Sequence, residues 1–63
     1  MVEKVVDYKV KYKGETDIDI INGKVYQCVM ECYEDGELFT IGVVDESGEY
    51  YQYDPGDFDI VTE

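Results

Sequence analysis

Paired carboxylates come nearest to a catalytic arrangement in this sequence. Asp17 with Asp19, and Asp57 with Asp59, are each two residues apart, which places both carboxylates of a pair on one face of a strand. General acid–base catalysis needs a cleft in which desolvation separates the two pKa values. A chain of 63 residues leaves little room for such a cleft. We therefore interpret the pairs as solvated strand faces, with a weak cation site as the alternative.

Nucleophilic and metal chemistry lack the residues that they require. The sequence has no His and no Arg, so neither a Ser–His–Asp nor a Cys–His arrangement can form. Cys28 and Cys32 supply only half of a tetrahedral zinc shell. On one strand their Cα atoms would lie about 13 Å apart, beyond the reach of a disulfide. We predict a protein that is not an enzyme, with no metal, no cofactor and two free, buried thiols, which indicates the reducing cytoplasm.

Three tyrosines fall within four positions of the stretch EYYQYDPGDFDIV. In an extended strand Tyr51 and Tyr53 point to one side and Tyr50 points to the other. We expect the first side to close the hydrophobic core and the second to be exposed. The core-closing set is then Tyr51, Tyr53, Phe58 and Ile60.

The predicted partner contact centres on Tyr50. It comprises Tyr50, Glu49, Asp54 and Asp57. An exposed tyrosine among carboxylates is a rigid apolar anchor that also attracts Lys or Arg, so this surface suits a basic or extended peptide. In the alternative interpretation, the tyrosines are simply the large hydrophobic residues of a small core.

Alternation of apolar and polar residues predicts the strands that position these side chains. The first strand covers residues 2–13, with Val2, Val6, Tyr8, Val10 and Tyr12 on one face. Shorter alternating stretches follow at 16–21, 24–33, 37–44, 49–53 and 58–61. In the third of the six stretches, Tyr26, Cys28, Met30 and Cys32 share a face.

Turn-forming residues separate these stretches, and no window has helical periodicity. Asn22-Gly23 predicts a type I′ hairpin turn, while Asp35-Gly36, residues 45–48 and residues 54–57 predict further turns. The last of these is expected as a single 3-10 turn. We predict one all-β domain over residues 1–63, a small barrel of five to six short antiparallel strands, because closure protects the sheet edges.

The charge is large and unevenly distributed. Sixteen acids and five lysines give a net charge of −11. Residues 1–13 carry four lysines and two acids, a net of +2, while residues 14–63 carry one lysine and fourteen acids, a net of −13. Such a charge repels phosphate backbones and anionic membranes, so we expect no direct binding of nucleic acid or membrane. The acidic part either keeps the protein soluble and attracts its own first strand, or forms a docking face for a basic partner.

Residues 21–61 resemble a group of short, acidic bacterial proteins, chromosomal and phage-borne, to which no activity is assigned. The resemblance is carried by the pattern GKxY…DESGExYxYxPxxFxIV. Its matching positions are Gly23, Lys24, Tyr26, Asp45, Glu46, Ser47, Gly48, Glu49, Tyr51, Tyr53, Pro55, Phe58, Ile60 and Val61. The resemblance implies an SH3-like barrel. The chain has no Trp and no ALYDY segment, so the proline-rich ligands of eukaryotic SH3 domains are not implied.

Two functional hypotheses follow. The first is a non-catalytic protein-interaction module that uses its acidic and aromatic surface to bind a protein with a basic or extended segment. The alternative is an inhibitor that mimics nucleic acid and occupies the basic groove of a DNA-binding, RNA-binding or defence protein. A mixed aromatic groove on the structure would favour the module, and two rows of carboxylates at the spacing of phosphates would favour the mimic.

Overall fold

The computed structural model describes residues 1–62 as five antiparallel strands in one sheet. The strands are β1 (Val2–Tyr12), β2 (Val25–Glu34), β3 (Glu37–Val44), β4 (Tyr50–Tyr53) and β5 (Phe58–Ile60), with a 3-10 turn at Pro55–Asp57. Their order across the sheet is β4-β3-β2-β1-β5. The all-β class, the strand number and the 3-10 turn are therefore confirmed. The described part of the chain contains no helix long and apolar enough to cross a membrane.

The hydrophobic core is built around a cluster of eight buried residues. Its members are Val10, Tyr12, Ile20, Tyr26, Cys28, Ile41, Val43 and Phe58. Cys28 and Val43 lie directly opposite each other on neighbouring strands, and both side chains are fully buried. Directly opposed residues of antiparallel strands share a face, so the core lies against one face of the sheet.

Phe58 brings the two ends of the sheet together. Its ring lies 5.2 Å from that of Tyr12 and 5.8 Å from that of Tyr53, measured between ring centroids. Tyr53 belongs to β4 at one edge of the sheet, and Phe58 begins β5 at the other edge. The sheet therefore curls on itself into a small barrel-like fold.

The prediction of a type I′ hairpin turn at Asn22-Gly23 is wrong. Among these two residues only Gly23 has a positive φ, at 84°, and the Lys24 N–H donates to the Ile21 carbonyl over 3.2 Å. A turn with positive φ at its third residue alone is of type II rather than type I′. The type I′ arrangement occurs instead at Asp35 and Gly36, whose φ values are 52° and 79° and which join β2 to β3.

The strand expected at residues 16–21 is also wrong. Residues 13–24 form one long connection between β1 and β2, and its only ladder pairing is an isolated bridge between Asp17 and Ile20. Ile20 is buried in the core, but Ile18 is 91% exposed at the tip of the bridge turn. The connection is held locally, because the Asn22 side chain donates to the Gly14 carbonyl (2.8 Å) and the Asn22 N–H donates to Thr16 Oγ1 (2.9 Å).

Two of the four residues expected to close the core do not do so. Phe58 is buried and Tyr53 packs against the core cluster, whereas Tyr51 is 52% exposed and Ile60 is 64% exposed. Tyr51 lies opposite the fully buried Val43, so its face was predicted correctly. It is exposed because β4 is an edge strand with no neighbour beyond it, and Ile60 is exposed because β5 is the opposite edge.

The alternation expected in β2 is interrupted. The register of β2 against β3 shifts between Cys28 and Met30. Cys28 faces the core, whereas Met30 lies opposite Gly42 on the outer face, so the two do not share a face. Both Cys28 and Cys32 are nevertheless free and fully buried, as predicted.

Candidate partner-binding surface

Strand β4 presents two half-exposed tyrosines at the edge of the sheet. Tyr50 is 53% exposed and Tyr51 is 52% exposed, on opposite faces of the strand. The Tyr50 ring covers Gly42 of β3, where an added Cβ would lie 3.0 Å from Tyr50 Cδ2 and 3.0 Å from Met30 Cβ. The absence of a side chain at Gly42 therefore lets the Tyr50 ring lie flat against the outer face of the sheet.

The four predicted contact residues are all exposed, but they form two separate groups. Glu49 and Tyr50 lie at the start of β4, whereas Asp54 and Asp57 lie beyond its end, at the 3-10 turn. Tyr50 and Asp54 are four positions apart along an extended chain, a distance of about 13 Å. The structure therefore places the acids at both ends of β4 rather than in one patch around Tyr50.

The acids of these two groups differ in their structural roles. The Asp54 carboxylate accepts the N–H of Gly56 (2.9 Å) and so caps the 3-10 turn. Asp57 accepts the Lys13 N–H through its main-chain carbonyl (2.8 Å). Within residues 1–62, neither the Asp57 nor the Glu49 carboxylate accepts a hydrogen bond. These two carboxylates are therefore available to a cation from a partner.

An apolar groove opens beside the 3-10 turn. Its floor consists of the buried side chains Val10, Ile41 and Phe58, and its rim consists of Tyr8, Leu38, Pro55 and Ile60. The groove has a volume of about 130 Å³. Sequence reasoning missed it, because the signal was distributed over β1, β3 and β5 and emerges only when the barrel forms.

Tyr8 is fixed at the rim by a partly buried polar cluster. Its hydroxyl donates to Glu31 Oε2 (2.5 Å), while the Tyr33 hydroxyl donates to Glu31 Oε1 (2.7 Å). These two bonds hold the pKa of Glu31 below its usual range. Burial, and then the bond to Glu31, raise the pKa of Tyr8 well above that of a free tyrosine. Tyr8 is therefore neutral, and its side chain is held in place where it lines the groove.

A second cluster fixes the turn before β4. The Asp45 carboxylate is buried and accepts from the Ser47 N–H (3.0 Å), the Ser47 hydroxyl (2.5 Å) and the Tyr53 hydroxyl (2.6 Å). Burial alone would raise the pKa of Asp45, but the bonds from Ser47 and Tyr53 outweigh it and the pKa lies below its usual value. Ser47 is therefore a structural residue of the turn, and the bond from Tyr53 joins this turn to the last residue of β4.

The neighbouring Glu46 joins this turn to the start of β2. Its carboxylate forms an ion pair with Lys24 (2.6 Å) and accepts from the Tyr26 hydroxyl (2.7 Å). Both contacts lower the pKa of Glu46. The Glu46 N–H also donates to the Asp19 carbonyl over 2.8 Å, which fixes the long connection.

The paired carboxylates do not lie together on strand faces as expected. Asp17 lies in the long connection, where its carboxylate accepts the Ile18 N–H (2.8 Å), and Asp57 lies in the 3-10 turn. Asp59 of β5 is paired with Lys13 at 3.1 Å. Among residues 1–62, no group of three or more His, Cys, Asp or Glu side chains could hold a metal ion.

No protein-family model, no curated protein and no solved structure matches this chain. The resemblance to the short, acidic bacterial proteins therefore stays a prediction.

Proposed function

We propose that the domain is a non-catalytic protein-interaction module of the cytoplasm that receives a basic, extended segment of a partner protein along β4. The observation that carries this proposal is the edge position of β4, which has two half-exposed tyrosines and acids at each end. A partner strand can pair with such an edge through main-chain hydrogen bonds, while its side chains contact alternate faces.

The geometry supports a segment of about five residues. Glu49 lies at one end of β4, and Asp54 and Asp57 lie at the other. An added strand would run beside β4 at about 4.8 Å, and its residues i and i+4 would be about 13 Å apart. Basic side chains at these two positions would reach the acids at the two ends, and apolar side chains between them would contact Tyr50 or Tyr51.

The negative charge of the domain supports a positively charged partner segment. Residues 14–63 carry a net charge of −13, and two ion pairs, Lys13–Asp59 and Lys24–Glu46, are present within residues 1–62. Most carboxylates therefore contribute to an uncompensated field, which steers basic segments to the surface and repels acidic ones.

Peptide titration monitored by NMR tests the proposal. The probe is a seven-residue peptide of alternating Lys and Val, and its control is the same peptide with Glu in place of Lys. We expect the lysine peptide alone to shift the amide signals of residues 49–54. Tyr50→Ala should weaken its binding by about 30-fold, the equivalent of ~2 kcal/mol for a residue that dominates an interface.

Phe39→Ala is the matched control, because Phe39 is an aromatic residue of β3 that is 56% exposed. It should leave the affinity of the lysine peptide unchanged. Binding that follows charge alone, with no localisation to β4 and no effect of Tyr50→Ala, would contradict the module. It would favour the nucleic-acid-mimicking inhibitor, which should displace DNA from a basic DNA-binding protein.

A further inference from the structure

The groove beside the 3-10 turn is open, apolar and small. Ile60 on its rim is 64% exposed and Leu38 is 39% exposed, so two aliphatic side chains face solvent around a floor that is itself buried. Its volume of about 130 Å³ lies well below the ~300–1,000 Å³ of sites that hold small organic ligands. A space of this size is suited to one side chain of a partner.

Acidic residues are close in sequence to several residues of its rim. Asp54 and Asp57 flank Pro55 in the 3-10 turn, and Glu37 precedes Leu38 on the opposite rim. At the Tyr8 side, the Glu31 carboxylate is held ionised by its two tyrosine hydroxyls. The apolar lining would exclude a charged group, while the acids beside it would attract a cation, so the two parts of the surface select different features of the same ligand.

We infer that the groove takes a single leucine-like side chain of the partner protein, with Lys or Arg residues on either side of it in the partner sequence. This inference rests on the proposed interaction module and adds the anchor residue that the partner must carry. A few residues that sit in well-packed, desolvated pockets provide most of the affinity of an interface. Strand β4 and the groove are then two parts of one binding surface. Strand β4 pairs with the main chain of the partner, and the groove holds its anchoring side chain.

Two capped five-residue peptides test the inference. One has Leu between two pairs of Lys, and the other has Ala in place of the Leu. We expect the Leu peptide to bind the domain at least about tenfold more tightly, because the complex partly buries three more apolar carbon atoms than with the Ala peptide. The amide signals of residues 38–41 and 58–60 should shift with the Leu peptide.

Ile60→Ser supplies the test of location, and Ile18→Ser is its matched control, because Ile18 is 91% exposed on the distant long connection. Ile60→Ser should reduce the preference for Leu over Ala to less than about threefold, while Ile18→Ser should leave it at its original value. If circular dichroism shows that Ile60→Ser perturbs folding, Leu38→Ser at the other side of the rim is a second variant. It should cause the same loss of the preference for Leu over Ala.

The possible failures are distinguishable. Equal binding of the Leu and Ala peptides, insensitive to Ile60→Ser, would overturn the anchor in the groove and leave the basic-segment module standing. Failure of both peptides and of the alternating Lys–Val peptide to bind would overturn the module and the inference together. A Leu preference that survives both Ile60→Ser and Leu38→Ser would place the anchor elsewhere and overturn the assignment to this groove.

Discussion

Replacing Asp45 by Asn should destabilise the domain severely, although the change removes only one charge. Asp45 is 6% exposed, and its carboxylate accepts three hydrogen bonds from Ser47 and Tyr53. Hydrogen bonds to a charged group contribute about 1.5–3 kcal/mol each. An Asn side chain keeps one acceptor oxygen and replaces the other by an amide that cannot accept. Allowing for the smaller cost of burying a neutral amide, we expect a net loss of about 2–3 kcal/mol.

This loss is large for a domain of 63 residues, whose total stability is on the order of 3–9 kcal/mol at ~0.05–0.15 kcal/mol per residue. Each kcal/mol changes the melting temperature of a domain of this size by about 4–8 °C. We therefore expect thermal melts followed by circular dichroism to show a decrease of about 10–20 °C for Asp45→Asn. The control is Asp35→Asn, which removes the same charge at an exposed turn residue with φ of 52° that Asn tolerates well.

The pH dependence gives a second readout of the same bonds. The pKa of Asp45 is depressed in the folded state, so its contribution is complete above the unfolded pKa of about 3.9 and is lost as the pH falls through the lower folded value. Wild-type protein should lose more stability below pH 4 than Asp45→Asn does. A melting temperature of Asp45→Asn within about 3 °C of that of Asp35→Asn at pH 7 would refute the structural role of this carboxylate.

Three further outcomes are expected. Tyr50→Ala should lower the free energy of unfolding, measured with urea, by no more than about 1 kcal/mol. Tyr53→Ala removes a ring packed on Phe58 and should lower it by about 3 kcal/mol. The reverse order would mean that the two faces of β4 are assigned wrongly. The thiols of Cys28 and Cys32 are both at 0% exposure, so they should react with a thiol reagent only when the protein unfolds. The unfolded chain should then consume two equivalents of reagent, and reductant should not change the stability. Consumption of one equivalent or none would contradict free thiols. The melting temperature should rise between 0.01 M and 0.2 M sodium chloride, because screening weakens repulsion among the acids; a flat profile would mean that local partners already compensate them.

The strands and most turns could be predicted from the sequence because alternation and turn residues are local signals. The face of each β4 side chain was also predictable, since Tyr51 does lie on the same side as Val43. The exposure of these side chains could not be predicted, because it depends on what lies beyond the strand. Parity assigns a side chain to a face, and only the strand order reveals that Tyr51 and Ile60 are at opposite edges.

The errors at residues 16–23 have a different physical origin. Asn-Gly favours a tight hairpin when two strands flank it, but the hydrogen bonds available here come from elsewhere. The Gly23 N–H donates to the Tyr12 carbonyl (2.7 Å), and the Asn22 side chain donates to the Gly14 carbonyl (2.8 Å). The pairing of β1 directly with β2 therefore overrides the local preference, and the intervening residues become a long connection.

The candidate surface could be predicted only in part. Tyr50, with acids before and after β4, follows from parity and composition, and the structure leaves all four predicted contact residues exposed. The groove could not be predicted, since its floor and rim come from three strands and a turn that are distant in sequence. The clusters around Glu31 and Asp45 were equally invisible, because a carboxylate that accepts tyrosine hydroxyls looks in sequence like any solvated acid.

The two halves of the pattern that carries the resemblance form one structural unit in this chain. Glu46 of the DES segment binds both Lys24 and Tyr26 of the GKxY segment, and Asp45 binds Tyr53 of the YxY segment. Gly23 and Gly48 provide positive φ values of 84° and 83° at the turns between them. These contacts join segments of the fold to one another, independently of any partner.

Binding is therefore to be sought at positions that the scaffold does not require. Tyr51 and Ile60 belong to the same pattern, yet both are more than half exposed at the edges of the sheet. A single exposed apolar residue needs no special explanation. Tyr51, however, lies on the edge strand that a partner would extend, and Ile60 lies on the rim of the groove that a partner would fill. The scaffold accounts for the hydrogen-bonded carboxylates of Asp45 and Glu46 and for the glycines, while the exposed residues of β4 and β5 remain available for recognition.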